Sequence, residues 1–326
     1  MGPFPKIGTF VTRSYRAAPL LVLFGLSSAV PASAQVFEAV GSRALGMGGA
    51  FVAVADDSSA VWWNPAGLAP GPFLDLALGG ASADIASEPA SHRERSLWFT
   101  VTTPVLGFSY YRLRINDIAR FQTTTEPGSP GREDGGVDAP GRSLSASQFG
   151  GTFVQTLVSG VHAGTTLKYV RVEGKPGPMD AQGGFDLDVG VIAIRGPVRL
   201  GGVVRNVLET EFDGVRLPRQ ARAGVGFDVA EAGGPPVMLA VDADVGSYQT
   251  FFGSRRVVAF GGEGWAFGRR VGVRAGARFN TVGAEEKAMT AGASVALRSG
   301  LYVDGHLVRG GARDERGWGV AARVSF

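Results

Sequence analysis

The sequence contains no cysteine. That absence excludes a disulfide scaffold, a thiolate metal centre, a cysteine nucleophile and a lipid-bearing N-terminal cysteine. Charge of one sign is also missing: Lys and Arg number 32 against 29 Asp and Glu, a formal net charge of +3. Nothing electrostatic therefore points to a nucleic-acid partner. Past the N-terminal leader, no apolar run approaches the ~20 residues of a transmembrane helix, which excludes a helical inner-membrane protein. Histidine is scarce at 3. No group of His, Asp and Glu has metal-ligand spacing, and no cofactor is implied. Glycine is plentiful, with 50 among 326 residues, roughly twice its ordinary share. A hydrophobic content of 44% is too high for a disordered chain.

Residues 1–34 read as a secretory leader. Lys6, Arg13 and Arg16 form a basic region, Ala17–Val30 an apolar one interrupted by Pro19 and Gly25, and Ala32-Ser33-Ala34 an A-x-A cleavage site. The apolar run is too short to span a bilayer comfortably, so export and a mature chain starting at Gln35 are expected.

From about residue 72 the sequence alternates with a period of two. At 316–326, Trp318, Val320, Ala322, Val324 and Phe326 share one face, with Gly317, Gly319, Ala321, Arg323 and Ser325 on the other. Strand geometry produces that split, because successive side chains point to opposite faces. Likewise Val271, Val273, Ala275, Ala277 and Phe279 oppose Arg274 and Arg278. Leu239 and Val241 oppose Asp242 and Asp244, Val225 and Phe227 oppose Arg222, and Leu200 and Val204 oppose Arg199 and Arg205. Fourteen such segments follow one another: 72–83, 95–103, 105–116, 147–157, 160–172, 183–194, 197–208, 219–230, 236–246, 255–267, 269–280, 287–297, 300–309 and 316–326. Short links near Pro104, Ser159, Gly196, Ala232–Pro235, Gly268 and Ser299 alternate with longer polar ones at about 84–94, 117–146, 173–182, 209–218, 247–254, 281–286 and 310–315. An even number of tilted strands with alternating short and long connections is the pattern of a transmembrane barrel with tight periplasmic turns. The expected fold is therefore all-β, an antiparallel transmembrane β-barrel of about 14 strands. A sandwich or propeller would also alternate, but would not keep its charges on one parity and a Val, Leu, Ala and Phe wall on the other. Trp98, Tyr110, Tyr169, Tyr248, Trp265, Tyr302 and Trp318 fall near segment ends, as interfacial girdles do. A last strand carrying Trp318, Val324 and terminal Phe326 resembles the signal read by the outer-membrane assembly machinery, an expected partner alongside outer-membrane lipid. The inward parity places Arg199, Arg205, Arg222, Asp242, Asp244, Arg274, Arg278, Asp304, His306 and Arg323 in the lumen.

Between leader and barrel lies Gly41–Ala69, rich in small residues and without clean alternation. Asp56-Asp57-Ser58-Ser59 is suited to cap a short helix holding Ala60 and Trp62, and Asn64-Pro65-Ala66-Gly67 is a turn. A barrel of this width is an open channel unless filled. A small-residue segment coming from the periplasmic side would fill it, with Arg43, Asp56 and Asp57 meeting inward charges such as Arg199, Arg222 or Asp242. Gly41, Arg43, Gly46, Met47, Gly48, Gly49 and Ala50, then Ala55, Asp56, Asp57, Ser59 and Ala60, and Asn64, Pro65, Ala66 and Gly67 closely resemble the N-terminal plug of the FadL-like superfamily of outer-membrane transport proteins, especially its PorV/PorQ-type branch. The resemblance implies a fourteen-stranded barrel whose N-terminus fills the lumen, and divides the chain into leader 1–34, plug 35–71 and barrel 72–326. It also implies passive transport of hydrophobic small molecules across the cell outer membrane, or, in the PorV/PorQ-type branch, a secretion-linked role with a secreted or periplasmic protein partner.

Catalytic readings are weaker. Gly46–Gly49 lacks the strand–helix context of a nucleotide loop. His306, Asp304 and Ser294 nominally offer a nucleophilic arrangement, but they fall in a lumen crowded with Arg and Asp, and the chain is read as a non-enzyme.

Overall fold

The computed structural model describes residues 32–33, 40–85, 92–118, 142–175, 182–212, 215–250, 253–283, 286–311 and 315–326. The basic and apolar regions of the leader, the cleavage site after Ala34 and the centre of the longest loop lie outside the described residues.

Fourteen strands form the wall: β1 (Asp75–Ile85), β2 (His92–Thr102), β3 (Leu106–Ile118), β4 (Arg142–Val158), β5 (Val161–Lys175), β6 (Gln182–Arg195), β7 (Val198–Arg205), β8 (Gln220–Asp228), β9 (Val237–Asp244), β10 (Val257–Ala266), β11 (Val271–Asn280), β12 (Lys287–Arg298), β13 (Leu301–Gly310) and β14 (Arg316–Ser325). Each pairs antiparallel with its neighbours, and β14 closes on β1 from Arg316↔Asp84 to Ser325↔Asp75. Closure satisfies the backbone groups that an open edge would leave bare. Just past the last strand, Phe326 and Leu74 exchange both backbone hydrogen bonds, extending the seam.

The strands correspond one for one with the fourteen alternating segments, and short turns alternate with long links. Several strands run further than the hydrophobic pattern reaches. β4 begins at Arg142, inside the stretch expected as loop 117–146, and β1 and β2 extend to Ile85 and His92. The reason is that ladder hydrogen bonds continue where the outward residues turn polar, as at Ser143, Ser145 and Ser147, while alternation of apolar residues stops there. Conversely β7 ends at Arg205. Asn206 and Glu209 take positive φ, and the Asp186 carboxylate accepts from the backbone N–H of Leu208 and Thr210, both at 3.1 Å.

The wall is apolar outside and polar inside. Val273 is 60% exposed while its neighbour Arg274 is 4% exposed, the reverse of a soluble protein and the distribution a lipid-facing wall requires. The aromatic girdle is thinner than expected. Trp98, Tyr248 and Trp265 are buried, because they lie on the inward parity and pack against lumen residues.

The apolar core lies inside the barrel. Residues 40–68 form α1 (Ser42–Gly46), α2 (Ala60–Trp63) and a 3-10 turn at Pro65–Leu68, almost entirely buried. Phe51, Val54, Trp62 and Trp63 join Trp98, Tyr111 and Leu113 of the wall in one cluster. Ala32–Ser33, which the sequence reading places in the leader, pairs in parallel with Val215–Arg216, in the long link between β7 and β8.

Candidate functional site

The plug folds tightly because its sequence allows backbone to approach backbone. Gly48 and Gly49, with φ of 70° and 81°, turn the chain out of α1, a conformation that costs other residues free energy. A Cβ at Gly48 would lie 2.7 Å from the backbone N of Ala277, and one at Gly276 would lie 2.3 Å from the carbonyl carbon of Met47. The plug is thus seated in a groove of wall glycines, which accounts for part of the chain's glycine content. Gly41 (φ 86°) introduces α1, and Gly46 donates none of its volume to a side chain where it meets Gly292, 3.2 Å from the position of an added Cβ.

Polar side chains then fix the plug's position. Arg43 holds Glu263 of β10 with two bonds of 2.8 Å and also pairs with Asp56 and Asp57. Burial works against its charge, yet Asp56, Glu263 and Asp57 hold it well above the ordinary guanidinium value. Glu263 in turn accepts from Arg274 at 2.5 Å and from the Trp265 indole at 2.8 Å. Beyond Arg274 lie Ser294 and Asp304, then Arg323 (3.1 Å from Asp304), then Asp75 (3.5 Å), whose carboxylate accepts from Ser58 N–H in the plug. The network therefore leaves the plug at Arg43 and returns to it at Ser58.

Other contacts are equally specific. Asp242 accepts the backbone N–H groups of Phe51 and Val52, both at 2.7 Å. Asn64 donates to the carbonyls of Val52 and Val191, both at 2.9 Å, and accepts from Ala66 N–H. Pro65 opens the 3-10 turn that contains Gly67. Arg205 donates to the carbonyls of Trp62 and Trp63 and lies 3.9 Å over the Trp62 ring. Ser59 does not cap α2 through its side chain. Asp57 accepts from both its N–H and its hydroxyl.

These contacts revise the expected pairings. Asp56 does meet Arg199, at 3.4 Å. Arg222 instead pairs with Asp244 at 2.7 Å, its directly opposite residue across β8 and β9, and Asp242 binds backbone rather than Arg43. Glu263 escaped notice, although it is the single acid on the inward parity of β10. So did the buried Lys168–Asp188 pair (2.6 Å), which also engages Asn206. Arg278 pairs with Glu315 at 2.5 Å. Trp318 and Val324 face outward on β14.

Above the plug, toward the long links, lies a cavity of about 160 Å³. Val40, Leu45, Trp63, Trp98 and Leu113 give it an apolar floor. Two of its cations at the mouth are matched by carboxylates, Arg255 with Glu286 and Arg278 with Glu315. His306 and Tyr111 line it as well, and among the described residues the His306 Nδ1 has no hydrogen-bond partner. Ser294 bonds Asp304 and Arg274 rather than His306, so no serine–histidine couple forms there. His92 bonds Glu94 and His162 bonds Thr156, on other strands. Among the described residues no group of His, Asp and Glu is placed to hold a metal ion.

No family model matches the chain, and no curated protein matches it by sequence. Solved structures do match in fold. The toluene transporter TodX of Pseudomonas putida aligns over 90% of this chain and 98% of its own at 12% identity, with a TM-score of 0.58. A FadL homologue of Pseudomonas aeruginosa aligns over 90% and 100% at 11% identity and 0.63. The CymD monoaromatic hydrocarbon channel aligns over 88% and 97% at 12% identity and 0.61. The chain thus shares the fold of these three proteins.

Proposed function

We propose that the chain is an outer-membrane barrel of the FadL-like type, in which small hydrophobic molecules pass without a catalytic step. The observation that carries this reading is the apolar-floored cavity, open at the long-link end and closed beneath by a plug. Such a cavity collects an apolar solute while the plug denies water and ions a through-path. The fold likeness to a toluene transporter and a hydrocarbon channel supports it. In this reading residues 1–34 are the leader, 35–71 the plug and 72–326 the barrel, inserted by the outer-membrane assembly machinery through its terminal strand. The cavity also touches Leu97 and Trp318, which face outward, beside the small residues Ala81, Ser82 and Gly317. In this reading the solute leaves laterally, past these small residues.

The test is uptake of toluene and of glucose into vesicles containing the purified protein. Toluene flux above that of protein-free vesicles, with glucose excluded, is expected. Equal flux of both solutes would overturn the reading. No flux combined with a stoichiometric periplasmic or secreted protein partner would favour the secretion-linked alternative.

A further inference from the structure

The outward face of the barrel changes chemistry along its strands, and the register shows where. Leu78, Phe99, Tyr110, Phe149 and Tyr169 form one row across β1–β5, apolar or aromatic throughout. The next row toward the long links reads Gly80, Leu97, Arg112, Ser147 and Arg171, and the one after it Ser82, Arg95, Arg114, Ser145 and Glu173. Serines stand where a lipid-facing wall calls for apolar residues, and arginines surround them.

Arg95 and Arg114 are exposed and directly opposite one another on β2 and β3. Like charges in that position destabilise a ladder. Among the described residues neither makes an ion pair, and the same holds for Arg112 and Arg171, whereas nearby Arg93 is matched by Asp84 at 2.5 Å. Among the described residues the buried Nε of Arg112 has no hydrogen-bond partner. The outward residues toward the same end of β6, β10 and β11 are instead apolar: Phe185, Val258 and Phe279. On β2–β5 this basic charge stands immediately above an aromatic surface where the Tyr110 and Phe149 rings are 4.7 Å apart.

We propose that this strip binds the phosphorylated headgroup of an anionic membrane lipid. Phosphate oxygens bridge Arg95 and Arg114 over the serine floor, where guanidinium geometry suits bidentate contact, and the acyl chains lie on Phe99, Tyr110 and Phe149. The bridging anion removes the repulsion that the bare pair carries. The inference rests on the membrane reading above and goes beyond it, since the lipid is a bound ligand of the outer wall and not the transported solute.

The experiment folds the full-length protein into three kinds of vesicle: phosphatidylcholine alone, phosphatidylcholine with a diphosphorylated glucosamine-disaccharide lipid, and the latter mixture after phosphatase treatment. Retained lipid after detergent extraction and the heat-unfolding midpoint are recorded, with inorganic phosphate as a further addition. Wild-type protein is expected to retain the phosphorylated lipid and to gain heat resistance from it alone. Retention falls about fivefold for each arginine removed in R114S and in R95S/R114S. The double variant in plain phosphatidylcholine unfolds no lower than wild type, since its repulsion is gone. R195S, at the other end of the wall, behaves as wild type. Equal retention by wild type and variants, equal effect of the dephosphorylated lipid, or full stabilisation by inorganic phosphate would each overturn the proposal. Failure of the wild type to insert even into plain vesicles would defeat the membrane reading with it, whereas insertion without headgroup dependence defeats the lipid site alone.

Discussion

Arg43 shows how a single residue governs the lumen. It is a buried cation shared by Glu263, Asp56 and Asp57, so removing one partner leaves charge uncompensated in a dry interior. Breaking a buried pair in this way costs about 3–5 kcal/mol. Glu263→Gln is expected to lower the heat-unfolding midpoint of the folded band in gel-shift assays and to admit current in planar bilayers, because Glu263 anchors both Arg43 and Arg274. Asn64 acts by hydrogen bonds rather than charge. Asn64→Ala deserts the buried carbonyl of Val52, at about 1–3 kcal/mol for an unsatisfied group, and also removes the bond to Val191. His306→Ala removes a ring whose Nδ1 has no partner among the described residues, and little stability is lost with it. Heat-unfolding midpoints of the two variants measured side by side should therefore fall in the order His306→Ala above Asn64→Ala. The opposite order would mean that the turn at Asn64 does not hold the plug.

Among the elements, strands and plug differ in how far the sequence discloses them. The wall was legible because period-two alternation is a local property. Val273 and Arg274 declare their faces without any knowledge of the rest of the chain. Strand ends were less legible, since Ser143, Ser145 and Ser147 extend β4 through backbone pairing that leaves no hydrophobic trace. Within the site, the lumen charges were legible as inward but not as pairs. Arg222 and Asp244 meet because hairpin register sets them opposite each other. Arg43 and Glu263, 220 positions apart, meet only because the plug lodges against Gly261 and Gly276, and that fit depends on shape. Cysteines placed at Ala53 and Ser59 are expected to stay unlabelled by a bulky external maleimide in intact cells, since both positions are buried against the wall, while cysteines within 125–140 label fully. Equal labelling would show that the segment leaves the lumen.

Over the whole molecule, the barrel and the plug are stabilised by different means, and this separates their fates. Fourteen antiparallel ladders close on themselves through β14 and β1, and none of those backbone bonds involves the plug. The plug is held by side chains of many strands, among them Thr100, Thr166, Arg205, Asp242, Glu263 and Thr290. Deleting residues 35–69 therefore leaves a barrel that still inserts, its inner charges now hydrated rather than paired. The intact chain is expected to show low conductance in planar bilayers, because the described lumen is occupied through α1, α2 and the turn after Asn64. The deleted chain should show a large ohmic conductance with weak ion selectivity, since basic and acidic residues are interspersed around the wall: Arg199, Arg205, Arg222, Arg274 and Arg278 against Asp186, Asp188, Asp242, Asp244, Glu263 and Asp304. A heat-modifiable band retained after the deletion, together with that rise in current, is the combined result the architecture demands. Loss of the folded band would mean that the wall depends on its plug, and unchanged current in a folded deletion would mean that another segment closes the lumen.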